Sequence, residues 1–230
     1  MRAMRSTSVL LTAVAFMTGS VSLAAQNPQL HTPRSRRFPT VLFSSVLWGA
    51  DPAYYSIALD SSGTATYESL PASVGESGVP YTMEFQVSDH TRRIAFNLAQ
   101  GLNYFSGFTH ESVPPAQNSR VRTLAYIDPT FNNQFSYGVP SSPDLEEITS
   151  VFEEMSETFE SGRRLSYLEQ HEKTALAPEL DRLDTQTKRR HMREFQALIP
   201  ILRRLAEDRT LGAGVRNQAE KLLRVAQGLH

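Results

Sequence analysis

Tyr54-Tyr55-Ser56-Ile57-Ala58-Leu59-Asp60-Ser61-Ser62-Gly63-Thr64-Ala65-Thr66-Tyr67-Glu68 decides how this chain folds. Tyr55, Ile57 and Leu59 alternate with Ser56, Ala58 and Asp60, the period of a strand with one buried face. Asp60-Ser61-Ser62-Gly63 supplies turn formers, with Gly63 where a left-handed backbone is needed. Ala65 and Tyr67 then share one face of a return strand. The stretch predicts an antiparallel hairpin.

Working outward, Met83, Phe85 and Val87 alternate with polar residues from Tyr81 onward, predicting a third strand after the Gly/Ser/Pro loop 71–80. Ser88-Asp89 offers a helix N-cap, Ile94, Ala95 and Leu98 form an apolar stripe, and Gly101 closes it. The loop 107–119 holds two adjacent prolines and is neither helix nor central strand. Val121 to Asp128 and Phe131 to Tyr137 read as two more strands. Val41 to Trp48 is an apolar run whose periodicity does not decide between a short buried strand and a helical turn. Residues 40–138 are therefore expected to form an α+β domain, an antiparallel sheet with one covering helix.

From Val139-Pro140-Ser141-Ser142-Pro143 the strand period disappears. Ser142 can cap a helix with Pro143 in its first turn. Leu145, Ile148, Phe152, Met155 and Phe159 repeat at three-four spacing, and Gly162 on the next step permits close approach of a neighbouring helix. Pro178 opens a second helix through Leu180 and Leu183. A third is expected from about His191 through Phe195, Leu198, Leu202 and Leu205, bent at Pro200, and a fourth over Val215 to Gln227. Residues 141–229 read as an all-α helical bundle.

At the other end, Arg2 and Arg5 precede an apolar run, Val9 to Phe16, and Ser22-Leu23-Ala24 supplies small residues at an exit. Residues 1–25 read as a secretory signal peptide and 26–39 as a leader; an uncleaved anchor is the alternative. The chain is expected to be exported, periplasmic or secreted. The signal holds two of the 23 basic residues and none of the 24 acidic ones, so the mature charge is 21 − 24, or −3. That balance argues against nucleic-acid binding. With no cysteine, packing alone must hold an exported chain, and thiol nucleophiles and Cys-based metal sites are excluded. No second long apolar stretch predicts a membrane span after signal cleavage.

Leu202-Arg203-Arg204-Leu205-Ala206-Glu207-Asp208, followed by Val215-Arg216 and Ala219-Glu220-Lys221-Leu222-Leu223, resembles a single HEAT-type helical repeat over residues 198–226. The resemblance implies Asp208 and Arg216 at the inter-helix turn and a protein-interaction role. One unit has no second copy to stack on. Residues 54–137, with a Tyr-x-Ile-x-Leu strand before a Gly turn, resemble small exported bacterial domains of unknown function, a resemblance that implies no activity.

Most of the constellations that catalysis uses are absent from the sequence. His171-Glu172 is followed by Lys173-Thr174, not by a second histidine in zinc-binding register, and Gly75-Glu76-Ser77-Gly78 is a residue short of a nucleophile elbow. Three places remain. His110-Glu111 follows Tyr104, Phe105 and Phe108 in a proline-bearing loop, where a His beside a carboxylate can move protons. Asp89-His90 begins a helix, and Trp48 with Tyr54-Tyr55 offers an aromatic face. The expectation is an exported, non-enzymatic interaction or accessory protein of the cell envelope, contacting an envelope or extracellular protein through Tyr104, Phe105 and Phe108 or the bundle surface. The alternative is a periplasmic hydrolase or metal-assisted enzyme with His110, Glu111 and His90 at its site. No cofactor is called for.

Overall fold

The computed structural model describes residues 38–70, 80–110, 119–189 and 191–228. The expected signal peptide, most of the leader and Glu111 lie outside them. Six strands form one sheet: β1 (Thr40–Leu47), β2 (Tyr54–Asp60), β3 (Thr64–Leu70), β4 (Tyr81–Gln86), β5 (Arg120–Ile127) and β6 (Asn132–Tyr137). Their order is β4-β3-β2-β1-β5-β6, with every neighbouring pair antiparallel. The fold is α+β with a C-terminal helical part.

The β2–β3 hairpin turns as its residues demand. Gly63 has φ +92°, and Asp60 Oδ1 accepts from the Ser62 and Thr64 amides at 2.9 and 3.0 Å. The ambiguous run at residues 41–48 is a strand as far as Leu47, with Trp48 in the turn that follows. β1 is central, paired to β2 and β5, and Thr40 through Ser45 are all buried. Burial on both sides erases the two-residue period that marks a half-exposed strand.

Helix α1 (Asp89–Gly101) starts at its expected cap, where the Ser88 hydroxyl accepts from the Thr91 amide. Helix α2 (Pro143–His171) starts likewise from Ser142, with Asp144 and Glu146 in its first turn facing the positive end of the helix dipole. The sheet's cover is wider than one helix. Six strands span about 24 Å and a helix is only about 10 Å across, so α1 shares the task with the first half of α2. Leu145, Ile148, Val151, Phe152, Met155 and Phe159 join the sheet residues in one core. A second core forms where Leu165 of α2 meets α3 (Leu176–Lys188), the short turn Phe195–Leu198, α4 (Ile199–Glu207) and α5 (Ala213–Gly228).

The expected start of a helix at His191 is not observed. Glu194 adopts φ +60°, a tight 3-10 turn follows, and α4 begins at Ile199 with Pro200 in its first turn, where a missing N–H breaks no intrahelical bond. The buried Glu194 is held from elsewhere: Ser88 donates to its carboxylate from both amide and hydroxyl, each at 2.8 Å. Gly162 faces Leu198, where a Cβ would lie 2.9 Å from Leu198 Cδ2. Asp208 ends α4, and the Thr210 hydroxyl and amide, with Lys173, hold its carboxyl at about 2. Arg216 lies in the first turn of α5, and no ion pair joins it to Asp208 among the described residues.

Candidate functional site

Strand register stacks the covered face of the sheet into rows. Met83, Tyr67, Ile57, Phe43, Leu124 and Phe135 form one row across six strands, and Phe85, Ala65, Leu59, Val41, Tyr126 and Asn133 another. The third row, nearest the β1–β2 loop, is polar throughout: Tyr81, Ser69, Tyr55, Ser45, Arg122 and Tyr137. A polar row on a covered face needs polar partners opposite it. Helix α2 presents Thr149, Glu153, Ser156 and Glu160 to it, at steps of four, three and four residues that keep one helical face, and meets part of the need; the Tyr55 and Ser69 hydroxyls are left over.

The contacts follow the helix across the sheet. The Tyr137 hydroxyl meets Thr149 Oγ1 at 2.5 Å. Arg120 and Arg122 both donate to Glu153 Oε1, at 3.1 and 2.9 Å, and Arg122 also reaches the Gly138 carbonyl. Tyr67, one row in, donates to Glu160 Oε1 at 2.5 Å, while Arg163 Nε donates to Glu160 Oε2 at 2.7 Å. Glu160 is only 3% exposed, so this is a buried ion pair; Arg163 extends it to Asp51 of the β1–β2 loop at 3.3 Å. Glu157 Oε1 accepts from Arg164, Arg182 and Gln186.

Between these groups lies a cleft of about 210 Å³. Ser45, Tyr55 and Arg120 of the sheet, Glu153, Ser156, Glu157, Glu160 and Arg164 of α2, and Leu47, Ala50, Asp51 and Pro52 of the loop wall it. The Tyr55 hydroxyl is its anomaly. Tyr55 is 7% exposed, and among the described residues its buried oxygen has no hydrogen-bond partner of good geometry, although the Ser156 and Ser45 hydroxyls lie close enough to oppose the effect of burial on its pKa. An unmet buried hydroxyl destabilises by about 1–3 kcal/mol. Burial pushes the Tyr55 and Tyr67 hydroxyls above the ordinary tyrosine range, for Tyr67 with Glu160 adding to the shift, so both stay protonated donors. Trp48 sits on the same loop and is 57% exposed.

The residues singled out in the sequence fall elsewhere, with the exception of Tyr55; Trp48 lies on the β1–β2 loop without lining the cleft. His110 is exposed, and its Nδ1 accepts from the Ser136 amide on the edge strand β6 at 3.2 Å. His90 is exposed in the first turn of α1, and no hydrogen bond or ion pair joins it to His110. Glu111 lies outside the described residues. Tyr54, next to Tyr55, points to the opposite sheet face, as strand alternation requires.

The aromatic trio packs inward or along the sheet end. Phe105 is buried against Phe135, Phe108 stacks on Phe135 at 4.5 Å, and Tyr104 stacks on Phe131 and packs against Tyr126. Asn103, Tyr104 and Phe105 all have positive φ, of 50°, 51° and 62°. A left-handed conformation costs roughly 1–2 kcal/mol per non-glycine residue, opposed here by burial of Phe105 and by the Asn133 side-chain amide donating to the Tyr104 carbonyl at 3.0 Å. A second cavity of about 200 Å³ lies beside this turn, lined by Phe108, Phe135, Tyr137 and Leu145 among others.

Sequence reasoning singled out none of the cleft's acids. The available signal was the i, i+4, i+7 spacing of Glu153, Glu157 and Glu160, followed by Arg163-Arg164, in a helix whose adjacent stripe is apolar. Among the described residues no three His, Asp or Glu side chains gather to hold a metal ion, and no helix is long and apolar enough to cross a membrane. No protein-family model matches the chain, and no curated protein matches it.

Proposed function

We propose that this chain is an exported, non-enzymatic interaction module whose recognition site is the cleft between α2 and the β1–β2 loop. The observation that carries the reading is the Tyr55 hydroxyl, buried at the cleft without a partner. A group that lowers stability in the free protein is well placed to gain when something binds. The exposed Trp48, on the β1–β2 loop whose Ala50, Asp51 and Pro52 wall the cleft, supports contact recognition, since exposed aromatics are the residue type that anchors interfaces. The acids of the cleft are each engaged by arginines, an arrangement suited to holding charge in place.

Export is part of the proposal and rests on the charge, apolar run and small-residue exit of residues 1–25. The competing hydrolase reading draws on His110 and Glu111. The test is a photo-cross-linking residue placed at position 48 of the exported chain. The expected result is a specific adduct with an envelope or extracellular component, lost in Tyr55→Phe and kept in His110→Ala. Hydrolytic turnover abolished by His110→Ala would overturn the reading.

A further inference from the structure

The cleft's unused hydrogen-bonding groups specify the chemistry of what it takes, given that it is the recognition site. Among the described residues Glu153 and Glu157 each use only Oε1, and nothing bonds to their Oε2 atoms. One helical turn apart on α2, these oxygens are acceptors for a ligand's N–H groups. On the donor side, among the described residues Arg120 uses only Nη1, on Glu153, and Arg164 leaves Nη1 without a partner. The Tyr55 hydroxyl, buried and unpartnered, can donate or accept.

We propose that the cleft binds a small zwitterion bearing an ammonium and a carboxylate, the class of the free α-amino acids. A metal ion needs several oxygens converging at about 2.0–2.6 Å, and no such gathering of acids exists among the described residues. A lone anion would face Glu153, Glu157, Glu160 and Asp51 in the wall, and a lone cation would face Arg120 and Arg164. A neutral polyol would displace water from charged groups without supplying an opposite charge. A zwitterion answers both signs. The volume sets the size: about 210 Å³ is below the ~300 Å³ of drug-sized pockets and suits a small molecule.

Trp48 is the only tryptophan of the chain and lies on the β1–β2 loop, next in sequence to the cleft-lining Leu47, so its fluorescence probes that loop and calorimetry reads binding directly. The full mature chain is titrated with glycine, L-alanine and L-serine, and with ethylamine, propionate and glycerol as single-feature controls, by Trp48 fluorescence and by calorimetry. Saturable binding of at least one amino acid is expected, with no saturation by the controls. Tyr55→Phe and Arg120→Gln should each weaken it about tenfold, the loss expected for one hydrogen bond to a charged group. No saturation by any of the three amino acids, or equal binding of a control, overturns the proposal. If no amino acid binds while the position-48 adduct still forms in a Tyr55-dependent way, the ligand class falls and the recognition site stands.

Discussion

The Tyr67 hydroxyl donates to Glu160 Oε1 at 2.5 Å, joining the third strand of the sheet to the middle of α2 across 93 positions of sequence. Both side chains are buried, and Arg163 closes the other side of the carboxylate at 2.7 Å. This bond fixes the height of α2 over the sheet and hence the position of Glu153 and Glu157 in the cleft.

Removing one member of a buried ion pair leaves its partner charged in a poor solvent, a loss of roughly 3–5 kcal/mol. Glu160→Gln is therefore expected to lower Tm by roughly 6–20 °C, at about 2–4 °C per kcal/mol for a chain of this size. Tyr67→Phe removes only a donor while Arg163 still engages the carboxylate, and about 1–2 kcal/mol is expected. Thermal melts of the two variants should rank in that order; equal or reversed losses would contradict the buried network.

Gly162 tests how tightly α2 meets the Phe195–Leu198 turn. A Cβ there would sit 2.9 Å from Leu198 Cδ2, and Leu198 is itself buried with little freedom to move. Alanine gains about 1 kcal/mol in helix propensity but overpacks by about 1–3 kcal/mol. Gly162→Ala should destabilise by about 1 kcal/mol in denaturant unfolding. A stabilised variant would mean that the two elements are further apart.

Alkaline titration reads the covered face of the sheet. Burial raises the Tyr55, Tyr67 and Tyr137 hydroxyls above their ordinary value near 10, so their folded pKa exceeds the unfolded one. Their stabilising contribution is whole below about pH 10 and is lost as pH rises above it, because the unfolded chain ionises first. Absorbance of tyrosinate should rise in two stages, with these three ionising only as the chain unfolds. Full ionisation of every tyrosine in a folded protein would show the face to be open.

Much of the architecture was legible because local signals agree with it. Gly63 in the β2–β3 turn, Ser88 and Ser142 at helix starts, and the Leu145–Phe159 seam each act through short-range sterics or hydrogen bonding that sequence spacing reveals. Val41–Leu47 was ambiguous because a central strand buried on both faces has no period to read. The start of α4 at Ile199 depends on Glu194 being held by Ser88, 106 positions away, which no window of sequence contains. The cleft was hidden for the same reason. Ser45, Tyr55 and Arg122 become one row only through strand register, and Glu153 is a surface acid until Arg120 and Arg122 close on it. His110 and the aromatic trio were conspicuous in sequence because they are adjacent, yet in space they serve a strand edge and a packed sheet end.

Trp48 is exposed and off the core, so Trp48→Ala should change unfolding free energy by no more than about 0.5 kcal/mol in denaturant unfolding. A large loss of stability would make Trp48 a packing residue.

The most direct test of a recognition cleft built around an unsatisfied group is the ligand-free melting temperature of Tyr55→Phe. Loss of a buried hydroxyl without a partner is expected to leave Tm unchanged or to raise it by roughly 2–4 °C, about 1 kcal/mol for a chain of this size. A fall of several degrees would show that the hydroxyl is bonded within the folded chain, and would contradict the cleft as a site waiting for a ligand.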